Sequence, residues 1–351
     1  MKVAVVGVGR WGVNHVRVLS QLKQEGYAFG TEAIEELVVV DKDWARARSV
    51  ASRYRADAFF SDLAEALAYG VEAVVVAVPT IYHCDVALKA LEKAHVLVEK
   101  PIASSVEEAA KLIKKAEREG RVLAVGHIER FNPAVSMLQE ELSRVNDHIV
   151  YVRGERVGPG PPSRSAENLG VAHDLLIHDV DISLMLIGDM PREVQAITIG
   201  TRDFPYEVEI TSIFTFNDGV VANLRASWRS EANFKRRVLE VQTTKKTLAI
   251  DYIACYLRVE EGLAVHRNLG NFLELVAAYQ SRRVYEVRAV RRGLEPLRAE
   301  LINFLESAAK GSKPAVTGVD GLRALLCVVS ALNAAKRGRR VEVPRVEDVL
   351  R

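Results

Sequence analysis

Lys2-Val3-Ala4-Val5-Val6-Gly7-Val8-Gly9-Arg10-Trp11-Gly12 is a short apolar strand that runs straight into a G-x-G-x-x-G turn. Gly7 permits the tight turn, Gly9 lets the backbone approach a pyrophosphate, and Gly12 allows a helix to pack closely on the strand. The helix that follows offers free N–H groups and the positive end of its dipole to phosphates. The position of the motif, between a first strand and a helix, reads as dinucleotide binding, with Arg10 and Trp11 inside the phosphate turn.

Outward from this turn, short β-rich runs recur at Lys2–Val6, Glu36–Val40, Glu72–Val78, His95–Val98 and Val122–Val125, separated by segments with helical spacing. One such segment starts at Ser105 with Glu108 as a capping box and stops near Gly120; another starts at Asp62 and stops near Gly70. Continuous apolar strands alternating with helices imply a doubly wound parallel sheet, an α/β Rossmann domain over residues 1–126. The ligand is then expected at the carboxyl ends of the strands. Asp41 ends the second strand, where its carboxylate can accept hydrogen bonds from a ribose and repel a 2′-phosphate. NAD is therefore favoured over NADP, although Arg46 and Arg48 lie nearby. Asp41 stands beyond the usual spacing of about 20 residues from the glycines, and the segment Gln24–Thr31 is a longer connection that absorbs the difference.

After residue 126 the pattern changes. Pro133–Val145 has helical spacing, Gly158-Pro-Gly-Pro-Pro162 reads as a loop, and a helix is expected over Asp174–Ile187. From Val194 the signal is mainly strand. Val220, Ala222, Leu224, Ala226 and Trp228 alternate with Asn223, Arg225 and Ser227, and Asp218-Gly219 joins this run to Ile210–Phe216 as a hairpin. Strands are expected near Val238–Thr243, Thr247–Asp251, Leu257–Glu260 and Val284–Val287, and helices near Pro296–Lys310 and Val319–Arg337. Residues 127–351 thus read as an α+β domain with a large, mainly antiparallel open sheet, for substrate binding and oligomerisation. A length of 351 residues is comfortable for two such cores.

The 48 basic and 46 acidic residues are well mixed, so no concentrated basic surface for nucleic acid is visible. No apolar run reaches the roughly 18 residues that span a bilayer, and no membrane association is expected. Cys84, Cys255 and Cys327 are far apart and form no C-x-x-C pair, which suits buried thiols in a reducing cytoplasm.

Several chemistry-bearing residues fall at the carboxyl edge of the first sheet. Glu99-Lys100-Pro101 ends the fifth strand, Pro79-Thr80 ends the fourth with His83 just beyond, and Gly126-His127 ends the sixth, followed by Glu129-Arg130-Phe131-Asn132-Pro133. Much later comes Asp174-Leu-Leu-Ile-His178-Asp179-Val-Asp181; on an α-helix Asp174 and His178 would share one face. Capping and packing account for Asp179 and Asp181, and no metal is expected.

Over essentially its whole length the chain resembles the glucose–fructose oxidoreductase / inositol dehydrogenase / rhizopine-catabolism family of sugar dehydrogenases. The resemblance rests on E-K-P after the fifth strand together with D-x-x-x-H-D opening a later helix. It implies an NAD-dependent oxidoreductase acting on a secondary hydroxyl, with Lys100, Asp174 and His178 as the catalytic set. His178 would act as base, Asp174 would hold its imidazole, and Lys100 would stabilise charge on the reacting oxygen. The sequence departs from the family pattern at His173 and Leu176. Glycines 7, 9 and 12 with Arg10, Trp11, Asp41, Pro79, Thr80, His83, Glu99 and Lys100 would contact cofactor. His127, Arg130, Asn132, Arg156, Arg164, Asp174 and His178 would line the substrate cleft.

Val152–Arg164 and Gly126–Pro133 resemble the branch that oxidises UDP-N-acetylglucosamine at the sugar 3-hydroxyl, with Arg153, Arg156 and Arg164 placed to meet a diphosphate. A dehydrogenase of a free sugar or inositol-type polyol is the alternative. A non-catalytic NAD-binding sugar sensor would keep the glycines and lose the reactive side chains, whereas Lys100, Asp174 and His178 are all present. A broad sheet with few helices after residue 194 implies a homodimer or homotetramer through that sheet.

Overall fold

The valine-rich runs do form one parallel sheet. In the computed structural model, which describes residues 1–144, 147–160, 169–231, 234–262, 271–280, 282–288 and 295–351, the strands are β1 (Lys2–Val6), β2 (Glu36–Val40), β3 (Ala58–Phe60), β4 (Ala73–Val76), β5 (His95–Glu99) and β6 (Leu123–Gly126). Their order is β3-β2-β1-β4-β5-β6, so the chain reverses direction between β1 and β4. That reversal opens the crevice at the carboxyl edge in which doubly wound folds hold ligands. The expected long connection at Gln24–Thr31 includes part of a small ribbon, Ala28–Phe29 against Glu32–Ala33.

Successive valines face opposite ways, and each face has its own helices. Val3, Val5, Val39 and Val75 pack with α1 (Gly12–Gln24) and α2 (Trp44–Tyr54). Val6, Val38, Val74 and Val96 pack with α3 (Leu63–Ala68), α4 (His83–Leu91) and α5 (Val106–Arg118). The Ser105 hydroxyl caps α5 at Glu108 N, as expected. The Glu108 carboxylate, however, accepts from Ser104 N rather than completing the box on Ser105.

The second sheet has nine strands: β7 (Ile149–Val157), β8 (Glu193–Thr201), β9 (Phe204–Thr215), β10 (Val221–Ser227), β11 (Arg236–Thr243), β12 (Lys246–Asp251), β13 (Tyr256–Gly262), β14 (Arg282–Arg288) and β15 (Val341–Glu342). Their order is β14-β13-β12-β11-β7-β10-β9-β8-β15. β7, which the sequence reading passed over, is the central strand, parallel to β10 and antiparallel to β11. Its alternation was masked because the inward positions of its buried half are Val152, Gly154 and Arg156 rather than a run of large apolar side chains. The Asp218-Gly219 hairpin is present, with both residues at positive φ (58° and 79°).

One face of this sheet is covered by α6 (Pro133–Ser143), α7 (Ile177–Ile187) and α10 (Gly318–Arg337). The other is open, and Ile197 there is 71% exposed. Two further helices, α8 (Phe272–Gln280) and α9 (Pro296–Lys310), precede α10, and α11 (Val346–Leu350) closes the chain.

The carboxy-terminal helices do not stay with the second domain. Leu301, Phe304 and Leu305 of α9 join the core around α1, and Leu322, Leu325 and Val346 join the core around α5. The chain therefore crosses back to the first sheet after residue 295, because these helices carry apolar faces that both of its sides bury. Among the described residues α10 alone is long and apolar enough to cross a membrane, and 61% of its apolar window is buried between the two sheets.

Candidate active site

A cleft of about 1260 Å³ lies between the carboxyl edge of the first sheet and the second domain. At its first end the three glycines do different jobs. Gly7 has φ +85°, and a Cβ there would sit 2.8 Å from Val78 N. A Cβ on Gly12 would fall 1.9 Å from Gly7 O, whereas nothing lies within 4 Å of one on Gly9. The turn is thus pressed shut on two sides and open at Gly9, the side on which Arg10 and Trp11 line the cleft.

Asp41 is buried and accepts hydrogen bonds from Val8 N (3.0 Å) and Asp43 N (2.9 Å). Arg46 pairs with the same carboxylate at 3.2 Å, so a ribose there would share Asp41 with a guanidinium. Arg48 instead lies over Trp44. Pro79 and Thr80 line the cleft at the end of β4. His83 sets its ring nitrogens against Pro101 O (2.8 Å) and Val78 O (2.9 Å), so it ties together the loops after β4 and β5.

At the middle of the cleft Glu99 accepts from the Trp11 indole N–H (2.5 Å) and meets His15 Nε2 at 2.8 Å. Burial works to raise the Glu99 carboxyl, but these partners outweigh it and hold it below the usual range. The next residue reaches across: Lys100 Nζ donates to Asp174 Oδ1 (2.9 Å) and Asp174 O (2.7 Å). Trp228 Nε1 donates to the other carboxylate oxygen (3.1 Å). Burial again acts to raise the Asp174 carboxyl, and Lys100 with the Trp228 N–H keeps it below its ordinary value.

Asp174 therefore serves Lys100 and Trp228, and no hydrogen bond joins it to His178. Residues Ala172–Leu176 form a π-helical turn before α7. Its i→i+5 bonding widens the turn, so a spacing of four no longer stacks the two side chains. His178 lines the cleft with Nδ1 buried and without a partner among the described residues. Burial first, then the charges of Lys100, Arg156 and Arg237, hold its pKa well below 6.5. His173, also against the cleft, is lowered to about 4 by burial and by Lys100. Both rings are neutral at neutral pH.

Residues 1–127 match the model described as "Oxidoreductase family, NAD-binding Rossmann fold", and residues 147–249 match the GFO/IDH/MocA C-terminal domain. A UDP-N-acetylglucosamine 3-dehydrogenase of Acidithiobacillus ferrooxidans is 32% identical over 93% of this chain and 94% of its own. The chain belongs to the GFO/IDH/MocA oxidoreductase family. A scyllo-inositol 2-dehydrogenase (NAD(+)) of Bacillus subtilis is 24% identical over 98% of this chain and 96% of its own. The solved structure of the Acidithiobacillus enzyme gives a TM-score of 0.79 at 27% identity, covering 96% of this chain and 98% of that one. Levoglucosan dehydrogenase with NADH and L-sorbose shares the fold, with a TM-score of 0.85 at 18% identity over 99% of this chain and 100% of that one.

As a GFO/IDH/MocA protein the chain is an NAD-dependent dehydrogenase acting on sugar hydroxyls. Its own residues fit the cofactor: the free space at Gly9, the helix start at Gly12 and the Asp41 carboxylate all border the first end of the cleft. NAD, when bound, supplies the hydride acceptor.

Several expected cleft residues are engaged elsewhere. Arg156 lines the cleft floor but is 0% exposed, with its guanidinium on Glu129 (2.7 Å) and Asp179 (2.9 Å) and over the Tyr252 ring. It is not free to meet a diphosphate. Arg153 sits one residue out of phase with the buried Val152 and Gly154, so it points to the open face of the sheet. Arg164 lies outside the described residues. Arg130 binds Asp181 with both Nε (2.8 Å) and Nη2 (2.6 Å) and so fastens its turn to α7. Asn132 caps α6 at Ala134 N and bonds Glu129. His127 is buried behind the lining, which at this turn is made by Gly126, Ile128 and Glu129. From the 3₁₀ turn Ile128–Phe131 the Arg130 side chain reaches Asp181 on α7 rather than the cleft.

Sequence reasoning missed Trp228 as a partner of Asp174, and it missed Lys235 and Arg237 on the cleft wall. Arg237 did leave a signal: it shares the period-2 face of Leu239 and Val241, a charge where the strand is otherwise buried. It stands directly across from Arg156 on the neighbouring strand.

The Arg156 assignment has a measurable consequence. Arg156→Ala leaves Glu129 and Asp179 buried without their cation, and stability is expected to fall by about 3–5 kcal/mol in chemical denaturation. A variant of native stability with only a raised KM would restore the diphosphate role.

Proposed function

We propose that this dehydrogenase oxidises the 3-hydroxyl of UDP-N-acetylglucosamine or a close UDP-amino sugar. The observation that carries the reading is the pair Lys235 and Arg237 on the substrate wall of a cleft whose centre holds Lys100 and His178. Two cations there suit a diphosphate, and the 32% identical relative bears that activity in its name.

The chemistry follows from the side chains. An ammonium has three donors, and Asp174 takes two of those of Lys100. The third is left for the reacting oxygen, where it stabilises the charge that develops as the hydroxyl proton departs. His178, neutral and with Nδ1 turned inward, presents Nε2 as the acceptor of that proton. Asp174 keeps Lys100 aimed and Trp228 keeps Asp174 aimed. His173 lines the same part of the cleft, where the family pattern has an apolar residue, and it adds a neutral hydrogen-bonding ring beside the sugar.

A panel of UDP-sugars, free sugars and inositols, read by NADH absorbance, tests the substrate. UDP-N-acetylglucosamine should be turned over briskly and free N-acetylglucosamine poorly. Arg237→Ala and Lys235→Ala should raise KM more than they lower kcat, since uniform binding is lost. Activity on inositol or free sugars with none on UDP-sugars would favour the polyol reading, which the scyllo-inositol relative represents. Silence on every sugar would favour a sensor.

The roles at the centre predict a pH profile. Lys100→Ala and His178→Asn should each cut kcat by at least about a hundredfold. In the native enzyme the active form carries a neutral His178, whose folded pKa lies below 6.5. The rate should therefore hold level from about pH 8 down to 6.5 and fall only as pH drops through that lower pKa. A limb centred at 6.5 or above would contradict the assignment.

We further infer that the chain acts as a homodimer through the open face of the second sheet, which exposes Ile197, Ile199 and Ile213 on adjacent strands. Light scattering should give about twice the 38.8 kDa chain mass, or a multiple of that dimer. Ile197→Glu should lower it to one chain, and a monomeric native protein would overturn the inference.

A further inference from the structure

His127 directly follows Gly126, the last residue of β6, is 1% exposed, and has neither ring nitrogen hydrogen-bonded among the described residues. An orphaned buried imidazole is costly, since each unmet polar group carries a desolvation penalty. The groups that face it come from four elements: Asp181 on α7, Arg130 from its own turn, Lys100 after β5 and Asp320 on α10. Asp181 is nearest, with Oδ2 3.8 Å from His127 Nδ1, and it is itself held in place by Arg130. His178 lies three residues before Asp181 on the same helix, so the two share one face. His178 Nδ1 is also buried and orphaned, and His127 is among the groups acting electrostatically on it. Two imidazoles with unmet nitrogens thus lie on one side of α7, one facing the cleft and one facing a fixed carboxylate.

We propose that His127 is a positioning residue that, directly or through one buried water, takes the His178 Nδ1 proton and holds the resulting positive charge beside Asp181. The proposal rests on the reading that the site oxidises an alcohol. In the resting state His178 carries its proton on Nδ1 and directs the Nε2 lone pair at the substrate. His127 carries its proton on Nδ1, toward Asp181, and offers Nε2 to His178. As the carbon–hydrogen bond breaks, the hydrogen leaves with the bonding pair as hydride, for which NAD would be the acceptor when bound, and the hydroxyl proton moves to His178 Nε2. The Nδ1 proton of His178 then shifts to His127 Nε2. His178 ends neutral in its other tautomer, and the positive charge rests on His127 beside the Asp181 carboxylate. This supplies the partner that Asp174 does not give, and it moves positive charge away from Lys100.

The test compares the native protein with His127→Phe and His127→Gln. Nitrogen-15 NMR of the histidine rings should find His178 in the Nδ1–H tautomer in the native protein and a mixture in His127→Phe. His127→Gln, whose amide oxygen can accept from Nδ1–H but cannot carry a proton onward, should keep the tautomer. Both variants should lose at least about tenfold in kcat with KM changed less than about twofold. A proton inventory in mixed light and heavy water should be curved for the native enzyme and linear for both. Should His127→Phe fail to fold, His127→Gln still decides between positioning and relay. Native kcat in His127→Gln, or a His178 tautomer indifferent to His127, would overturn the proposal. A native protein inactive on every sugar would sink the alcohol-oxidation reading instead, and the tautomer measurement would still judge the contact between the two rings.

Discussion

Lys100 leaves the carboxyl end of β5 and is caught 74 residues later by Asp174, which sits in the π-helical turn that opens α7. The pair is largely shielded, with side chains 16% and 26% exposed, so its attraction is screened less than at a surface. It joins the parallel sheet, which holds the cofactor end of the cleft, to the open sheet, which forms the far wall. Glu99 behind it is fixed by Trp11 and His15 from the glycine turn and α1, and Trp228 fixes Asp174 from the edge of β10. One ion pair thus receives its orientation from both domains. The Lys100 ammonium is placed by residues from the glycine turn to the end of β10.

A second constraint lies beneath it. Arg156 is a fully buried guanidinium on the central strand of the second sheet, matched by Glu129 from the turn after β6 and Asp179 from α7. Such groups rarely add net stability over an apolar core, but breaking one is expensive. Here the group packs three elements at the floor of the cleft, and its charge adds to burial and to the Lys100 ammonium in lowering the His178 pKa. The same cation that cannot reach a diphosphate therefore helps to keep the His178 ring neutral. Arg237, facing the cleft one strand over, has among the described residues a single ion-pair contact, 3.7 Å to the already engaged Glu129. This is why the wall retains an anion-seeking group while its neighbour is satisfied.

The first domain was legible because its signals are local. Val-rich strands, the glycine turn and Asp41 each carry their meaning within a few residues: the turn follows β1 directly and Asp41 follows β2 directly. Lys100 at a strand end was legible for the same reason. The partnership of Asp174 was not: four residues on an ideal helix stack, and only the packed structure reveals that the turn is π-helical. Nor could the sequence say that Arg130 and Arg156 would be paired with carboxylates rather than left for a ligand, since those partners are 23 to 51 residues away.

What the sequence by itself determined is the pair of folds and the dinucleotide turn, because backbone periodicity and glycine geometry are properties of short segments. What only the tertiary structure decided is which charges are spent and which are free. Ion pairs are settled by proximity and burial, and both depend on how β7, α7 and β11 come together. Arg156 and Arg237 differ by nothing in their local sequence that forecasts their fates; one meets Glu129 and Asp179 inside the protein, and the other faces the cleft.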